Sequence, residues 1–266
     1  MEDRCGVIMS RILLLLFTGL VLNACNVDSE KDDLAKAQKC LDEIPVSSYA
    51  QATSCLQHIE KYSSQQANIL KCSIYMTAGG LVESKIVDAY QILSQGSGTQ
   101  ASKEAKFMAL LSFSDSNSNG FADEFATAQT ADDFCQLSGV GGLQYLSGLI
   151  VTGTYMRKLS EVLTGDPNRT IEQVVTDIVQ QCAVSAPAQP DPDCFSPANI
   201  ADLNAMGGAI ADVAQSYCDR ADADAAVCTG INSALEQAGT DTSDIGQALI
   251  CYMGGKRYDP ANDICL

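Results

Sequence analysis

The chain has 266 residues and a formal net charge of −17, and 46% of its residues are hydrophobic. So acidic a surface repels the phosphates of nucleic acids, which excludes a nucleic-acid-binding function. The chain has one histidine, His58, and no CxxC motif among its twelve cysteines, so a zinc or haem site is poorly supplied with ligands.

The N-terminal apolar run is too short to span a bilayer. It extends from Ile12 to Leu22, whereas a membrane-spanning helix needs roughly 20 apolar residues. Arg11 precedes the run and small residues follow it, which is the layout of a secretory signal peptide. A start at Met9 would remove the acidic residues upstream of the run, so Met1 and Met9 are both candidates for the first residue.

The residues that end this run resemble the lipobox of bacterial lipoproteins: Leu22, Asn23, Ala24 and Cys25. The resemblance implies cleavage before Cys25 and attachment to this cysteine of a lipid whose acyl chains include palmitate. Because Asn26 and not aspartate follows, the resemblance to lipoprotein sorting implies an anchor in the outer membrane, on its periplasmic face or at the cell surface. The alternative is an ordinary signal peptide, with Cys25 as a disulfide partner.

The cysteines that remain after such cleavage predict a disulfide framework. Ten are left besides Cys25, an even number, and an even number in an exported chain is typical of disulfides. They are Cys40, Cys55, Cys72, Cys135, Cys182, Cys194, Cys218, Cys228, Cys251 and Cys265. Closure of short loops favours three pairs, namely Cys182 with Cys194, Cys218 with Cys228, and Cys251 with Cys265. We therefore predict five structural disulfides.

The first part of the mature chain has helical periodicity. From Asp32 to Leu93 the apolar residues recur at intervals of three and four. The pattern AxxCLxxI occurs at residues 37–44 and again at 52–59, which predicts two short helices packed as a hairpin. A third helix is predicted over Gln65–Ala78, ending at a Gly-Gly pair, and a fourth from about Val82 to Leu93.

Helices of this length resemble tetratricopeptide repeats, although only weakly. Tyr75 and Gly79 have the spacing of the tyrosine and glycine of that repeat, but Ser84 and Asp88 stand where small and aromatic residues should follow. The predicted fold class is therefore all-α and stapled by disulfides, either a short α-solenoid or an irregular helical bundle.

The middle of the chain predicts further helices, one of them unusually rich in glycine. A helix is expected from about Ala101 to Phe113, and the helical pattern from Ala131 to Leu163 contains five glycines. Glycine inside a helix costs about 1 kcal/mol relative to alanine, so close packing of backbones is the expected compensation. Polar residues interrupt the apolar run, which disfavours membrane insertion. Thr170 is the expected N-cap of the next helix, Ile171–Cys182.

A proline-rich segment separates a small C-terminal part. Four of the seven prolines lie between Cys182 and Asn199, which is incompatible with a helix. Beyond it, helices are expected at 200–217, 225–238 and 244–253. The predicted organisation is a signal peptide (1–24), a lipidated tether (25–33), a helical domain (34–182), a linker (183–199) and a small helical C-terminal domain (200–266).

One stretch, DSNSNGFAD from residue 115, has the pattern of a metal-binding loop. Oxygen-bearing side chains alternate and a glycine follows, which resembles the first half of an EF-hand calcium loop. The candidate Ca²⁺ ligands are Asp115, Asn117, Asn119, Phe121 through its carbonyl, and Asp123. Ala126 stands where the EF-hand has its bidentate glutamate, so a weak site is expected, and a Ser/Asn-rich turn is the alternative.

The sequence favours a binding function over catalysis. His58 is expected on a solvated helix face, and no carboxylate pair stands out, so no catalytic residues are predicted. We predict an outer-membrane lipoprotein that acts as a binding or assembly scaffold, with the membrane and other envelope proteins as partners. The alternatives are a calcium-dependent surface adhesion module and a carboxylate-based hydrolase.

Overall fold

A computed structural model describes residues 29–44, 49–114, 120–184, 190, 194–195, 197–219, 225–238, 241–261 and 264–266. The predicted signal peptide and Cys25 lie outside the described residues. So do three of the predicted calcium ligands, Asp115, Asn117 and Asn119.

The fold is all-α and stapled by disulfides, as predicted. Its α-helices are α1 (Ser29–Asp42), α2 (Tyr49–Ser54), α3 (Gln65–Ala78), α4 (Glu83–Gln95), α5 (Gln100–Leu111), α6 (Phe121–Leu137), α7 (Gly141–Thr164), α8 (Ile171–Gln181), α9 (Pro197–Cys218), α10 (Ala225–Ala238) and α11 (Thr242–Met253). A 3₁₀ helix, Cys55–His58, follows α2 directly. No helix in the described ranges is long and apolar enough to cross a membrane.

The helices pack as a bundle around α7, not as a solenoid. Helix α7 contacts α5, α6, α8 and α9. In a solenoid each repeat contacts only its neighbours along the chain, so a helix that packs against four others excludes the α-solenoid alternative. The main core combines residues from both sides of the predicted linker, including Ile150 and Leu203. A smaller core lies under the N-terminal hairpin and includes Ala37, Ile59 and Ile74.

Local signals set several helix ends. The Ser64 hydroxyl accepts a hydrogen bond from the backbone N–H of Ala67, so α3 begins where the sequence predicts. The Thr170 hydroxyl accepts a hydrogen bond from the Gln173 N–H, and the Gln173 side-chain oxygen accepts one from the Thr170 N–H. The two bonds form a capping box at the start of α8. Helix α8 therefore begins at Ile171, as predicted.

The predicted helical stretch from Ala131 to Leu163 is divided between two helices. Helix α6 ends at Leu137 and α7 begins at Gly141. The turn between them contains Gly139 at φ +64°, a conformation that glycine adopts without strain. Apolar periodicity continues across the turn, which is why the sequence pattern alone does not show the break.

Close backbone packing accounts for part of the glycine content. A Cβ at Gly153 would lie 1.9 Å from the carbonyl oxygen of Met108 on α5, and a Cβ at Gly148 would lie 2.8 Å from that of Ala209 on α9. The expected compensation is therefore confirmed at these two glycines. Gly142 has no neighbour within 4 Å of such a Cβ, and its presence has no packing explanation.

The ten described cysteines form five disulfides, as predicted. The pairs are Cys40–Cys55, Cys72–Cys135, Cys182–Cys194, Cys218–Cys228 and Cys251–Cys265. The three short-loop pairs favoured by the sequence are among them. The Cys40–Cys55 bridge joins the two AxxCLxxI segments, and the Cys72–Cys135 bridge joins α3 to α6.

The C-terminal tail forms a small β-hairpin that the sequence analysis did not predict. Strand β1 (Tyr258–Asp259) pairs antiparallel with β2 (Ile264–Cys265), with Tyr258 opposite Cys265. Because Cys265 is bonded to Cys251 of α11, the hairpin is fixed against the end of the bundle.

Candidate functional site: an apolar cleft

An apolar cleft lies between α7, α9, α10 and α11. Its main chamber has a volume of about 610 Å³. The lining residues are Tyr145, Ile210, Val213, Ala214, Tyr217, Leu235, Ala238, Ile245, Ala248 and Leu249. Apart from the two tyrosine hydroxyls, every side chain in this lining is apolar.

The cleft continues into a second chamber toward α4 and α5. This chamber has a volume of about 390 Å³, and it shares four wall residues with the main chamber: Tyr145, Ile210, Val213 and Leu249. It adds apolar side chains, including Phe107 and Met108, and three polar ones, Gln100, Glu104 and Thr152. The two chambers thus adjoin along these shared residues, and the side chains of Gln100, Glu104 and Thr152 line the second chamber only; together we call the two chambers the apolar cleft.

Helical periodicity brings the cleft residues onto common faces. On α9, Ile210, Val213, Ala214 and Tyr217 recur at intervals of three, one and three residues, so they form one stripe along the helix. On α11 the residues at positions 245, 248 and 249 do the same. The apolar stripes of the two helices thus line the same channel.

Glycines allow α9 and α11 to approach closely beside the cleft. A Cβ at Gly207 would lie 1.7 Å from the carbonyl oxygen of Thr242, and a Cβ at Gly246 would lie 2.7 Å from that of Leu203. A backbone carbonyl can approach so closely only because the facing residue, a glycine in each case, has no Cβ. This crossing fixes the spacing between the two cleft-lining stripes.

Helix α10 covers one side of the cleft. It contributes Leu235 and Ala238 to the lining, and the Cys218–Cys228 disulfide ties it to the end of α9. The bridge closes a loop with a sequence separation of 10 residues. The cleft wall at α10 therefore depends on a covalent link as well as on packing.

A carboxylate, Glu104, lies at the polar end of the cleft. Its Oε1 accepts a hydrogen bond from the Gln100 amide at 2.7 Å, and its Oε2 accepts one from the Tyr252 hydroxyl at 3.0 Å. Burial, followed by the charge of Glu104, raises the pKa of the Tyr145 hydroxyl, and burial and the bond to Glu104 raise that of Tyr252. Both phenols are therefore neutral near pH 7.

Two partly exposed tyrosines lie near Glu104: Tyr145, which lines both chambers, and Tyr252, which bonds Glu104. Tyr145 is 42% exposed and Tyr252 is 44% exposed, so each presents part of its ring to solvent. Tyrosine is suited to such a boundary because it combines an apolar ring with a polar tip. Tyr145 also borders a third depression of about 630 Å³ that runs over Gly141 and Gly142.

The two predicted calcium ligands that the structure describes lie on α6. Phe121 is its first residue and is buried, and its backbone N–H donates to Glu161 Oε2 at 2.7 Å. Asp123 is exposed in the first helical turn and borders a shallow polar pocket of about 340 Å³ with Tyr49 and Tyr75. No group of three or more metal-ligating side chains occurs in the described part of the chain, and Ca²⁺ stays a prediction.

The sequence interpretation did not find the cleft residues. It treated Tyr145 only as an interruption of an apolar run and gave no role to Glu104 or Tyr252. A signal was present in α9, where Ile210, Val213 and Tyr217 form an apolar stripe. It could not show that the opposing wall comes from α5 and α11, because Glu104 and Tyr252 are 148 positions apart in sequence.

Comparison with protein-family profiles, with curated proteins and with solved structures finds no match to this chain.

Proposed function

We propose that this protein is an outer-membrane lipoprotein that acts by binding, and that the apolar cleft holds the apolar part of its ligand. The observation that carries the proposal is the main chamber of about 610 Å³ with its almost wholly apolar lining. Ligand sites typically have volumes of roughly 300–1,000 Å³, mostly apolar walls and a few polar groups that orient the ligand. The cleft has all three properties.

The lining favours binding over catalysis. Among the described residues that form the two chambers, Glu104 is the one ionisable group besides the tyrosines. General acid–base chemistry usually pairs two such groups, and nucleophilic catalysis needs a nucleophile beside a base. The residues around the cleft supply neither arrangement.

The proposed acyl anchor lies close in sequence to α1, which is not part of the cleft lining. Cys25 precedes the first residue of α1, Ser29, by four positions, a tether that spans at most roughly 14 Å. Helix α1 packs against α3 and the 3₁₀ helix, and none of these elements lines the cleft. The cleft would thus stay free for a ligand while the acyl chains hold the protein at the membrane.

Binding of a neutral apolar dye tests this proposal. N-phenyl-1-naphthylamine should bind saturably and gain fluorescence, because the cleft removes it from water. Ala214→Trp should fill the main chamber and abolish the gain. Val162→Trp, at a 46% exposed position outside the lining, is the matched control and should keep it. Absence of saturable binding, or equal binding by both variants, would overturn the proposal.

A calcium-dependent adhesion module is the second candidate function. The observation that favours it is a carboxylate beside the end of the DSNSNG stretch: a Cβ at Gly120 would lie 2.5 Å from Glu161 Oε1, and Glu161 Oε2 accepts from Phe121. Glu161 could thus supply the carboxylate ligand that the loop lacks because alanine stands at position 126. Weak extracellular sites have dissociation constants of about 10⁻⁴ to 10⁻³ M.

Thermal unfolding with and without calcium tests the second candidate. Calcium at about 100 times its dissociation constant should raise the free energy of unfolding by roughly 2.7 kcal/mol. Asp115→Ala should remove this shift, and Asp133→Asn, on an exposed face of α6, should keep it. If calcium has no effect, or has the same effect in the Asp115 variant, the stretch is a turn and not a binding loop.

A further inference from the structure

We propose that the apolar cleft selects single-chain amphiphiles with a cationic head group, with the chain between α9 and α11 and the head beside Glu104. This inference rests on the function proposed above and specifies the ligand class of the same site. It follows from the distribution of polar groups, the unpaired charge of Glu104 and the charge of the whole chain.

The cleft is polar at one end only. The main chamber offers two tyrosine hydroxyls and otherwise apolar side chains, whereas the second chamber adds Gln100, Glu104 and Thr152. The chambers adjoin at residues of α7, α9 and α11, and the proposed ligand extends across both. A molecule that fits this arrangement has an apolar chain and a single polar head.

The charge at the polar end is negative, and no basic group in the described part of the chain forms an ion pair with it. Among the described residues, the ion pairs of α5 involve Lys106, which contacts Glu172 on α8 at 4.0 Å, and none involves Glu104. The groups that bond Glu104 are the neutral Gln100 amide and Tyr252 hydroxyl. Lys103 precedes Glu104 and therefore projects about 100° away around the helix axis.

The aromatic ring of Tyr145 adds to the preference for a cation. Tyr145 lines both chambers and is close enough to Glu104 for the carboxylate charge to affect its hydroxyl. A cation near a tyrosine ring is attracted by the negative face of the ring. An ammonium group at this end would therefore be attracted by the Glu104 carboxylate and by the Tyr145 ring. The Glu104 carboxylate would repel an anionic head group.

The charge of the whole chain acts in the same direction. A net charge of −17 raises the local concentration of cations and lowers that of anions around the protein. At physiological ionic strength, salt screens this long-range effect over about 8 Å. Salt screens the direct contact between the head group and Glu104 much less. Selectivity that survives added salt therefore reports on Glu104 and not on the overall charge.

Displacement of the dye by two amphiphiles of equal chain length tests the inference. The full mature chain with Cys25→Ser is used, so that no acyl group competes. Dodecylammonium and dodecanoate are titrated below their micelle concentrations at low and at physiological salt. Dodecylammonium should displace the dye at a concentration about tenfold lower, because only its head is attracted by Glu104.

The variant Glu104→Gln should bring the two displacement concentrations to within about twofold, since the amide keeps the shape, can accept from Gln100 and donate to the Tyr252 hydroxyl, and has no charge. Asp133→Asn removes an equal charge from an exposed site on α6 and should leave the tenfold ratio unchanged. Equal displacement by both amphiphiles in the unmodified site, or an unchanged ratio in the Glu104 variant, would overturn cation selection while dye binding persists. Failure of the dye itself to bind would instead overturn the proposed function.

Discussion

At the residue scale, Lys85 on α4 has an unusual environment beside the C-terminal end of α5. The Lys85 ammonium donates to the Ser112 carbonyl at 3.0 Å and to the Ser114 hydroxyl at 2.7 Å. Burial, followed by the charge of Arg157, lowers the pKa of Lys85 to about 8. The Arg157 Nε also donates to the Ser112 hydroxyl, so two cationic side chains form hydrogen bonds with Ser112.

We predict that Lys85 titrates near pH 8, which NMR of ¹³C-dimethylated lysines would measure. Between pH 8 and 10.5 the folded state binds fewer protons at Lys85 than the unfolded state, so this residue makes stability rise with pH over that window. Lys36 is the control, because its hydrogen bond to Asp33 raises its pKa above 10.5. Titration of Lys85 together with the control Lys36 would contradict this prediction.

At the same scale, the sequence could predict features that depend on neighbouring residues. The N-caps of α3 and α8 and the three short disulfide loops are of this kind, because their partners lie within 15 positions. The cleft could not be predicted in this way. Its polar end joins α5 to α11 through Glu104 and Tyr252, and which face of each helix meets the other is decided only by packing in the folded chain.

At the element scale, the crossing of α9 and α11 determines the width of the cleft. Gly207 and Gly208 are adjacent on α9, yet only Gly207 faces the backbone of α11. A Cβ at Gly208 would have no neighbour within 4 Å. The same substitution, glycine to alanine, would therefore place a methyl group against the backbone of α11 at Gly207 but in open space at Gly208.

We predict that Gly207→Ala lowers the free energy of unfolding by about 2 kcal/mol, since overpacking costs typically 1–3 kcal/mol. Gly208→Ala should raise it by up to about 1 kcal/mol, the helix propensity gained over glycine. Urea denaturation of both variants measures the difference. Equal effects would show that α9 and α11 do not cross at Gly207.

At the scale of the whole molecule, the protein combines one disulfide-stapled bundle with an anchor that the sequence places at its N-terminus. The main core includes residues from α3 through β2, so the bundle presents the cleft as part of a single packed unit. The domain boundary at 183–199 stays a prediction, although Leu203 and Ile150 share that core.

We predict that Cys25→Ser releases the protein from membranes, because acyl chains would be its firm anchor. Fractionation of cells before and after detergent treatment measures this. The disulfides should be unaffected, so alkylation without reduction should label none of the ten paired cysteines in the variant. A variant that still sediments with membranes would contradict the proposed mode of attachment.

The most direct test of the binding function is to locate a bound chain. Isotope-filtered NMR of the protein with dodecylammonium would detect contacts between the probe and individual methyl groups. We expect contacts to Leu235, Ile245 and Leu249, which line the main chamber from two helices. Contacts confined to exposed apolar side chains outside the lining, such as Val87 or Val162, or no contacts, would contradict binding in the apolar cleft.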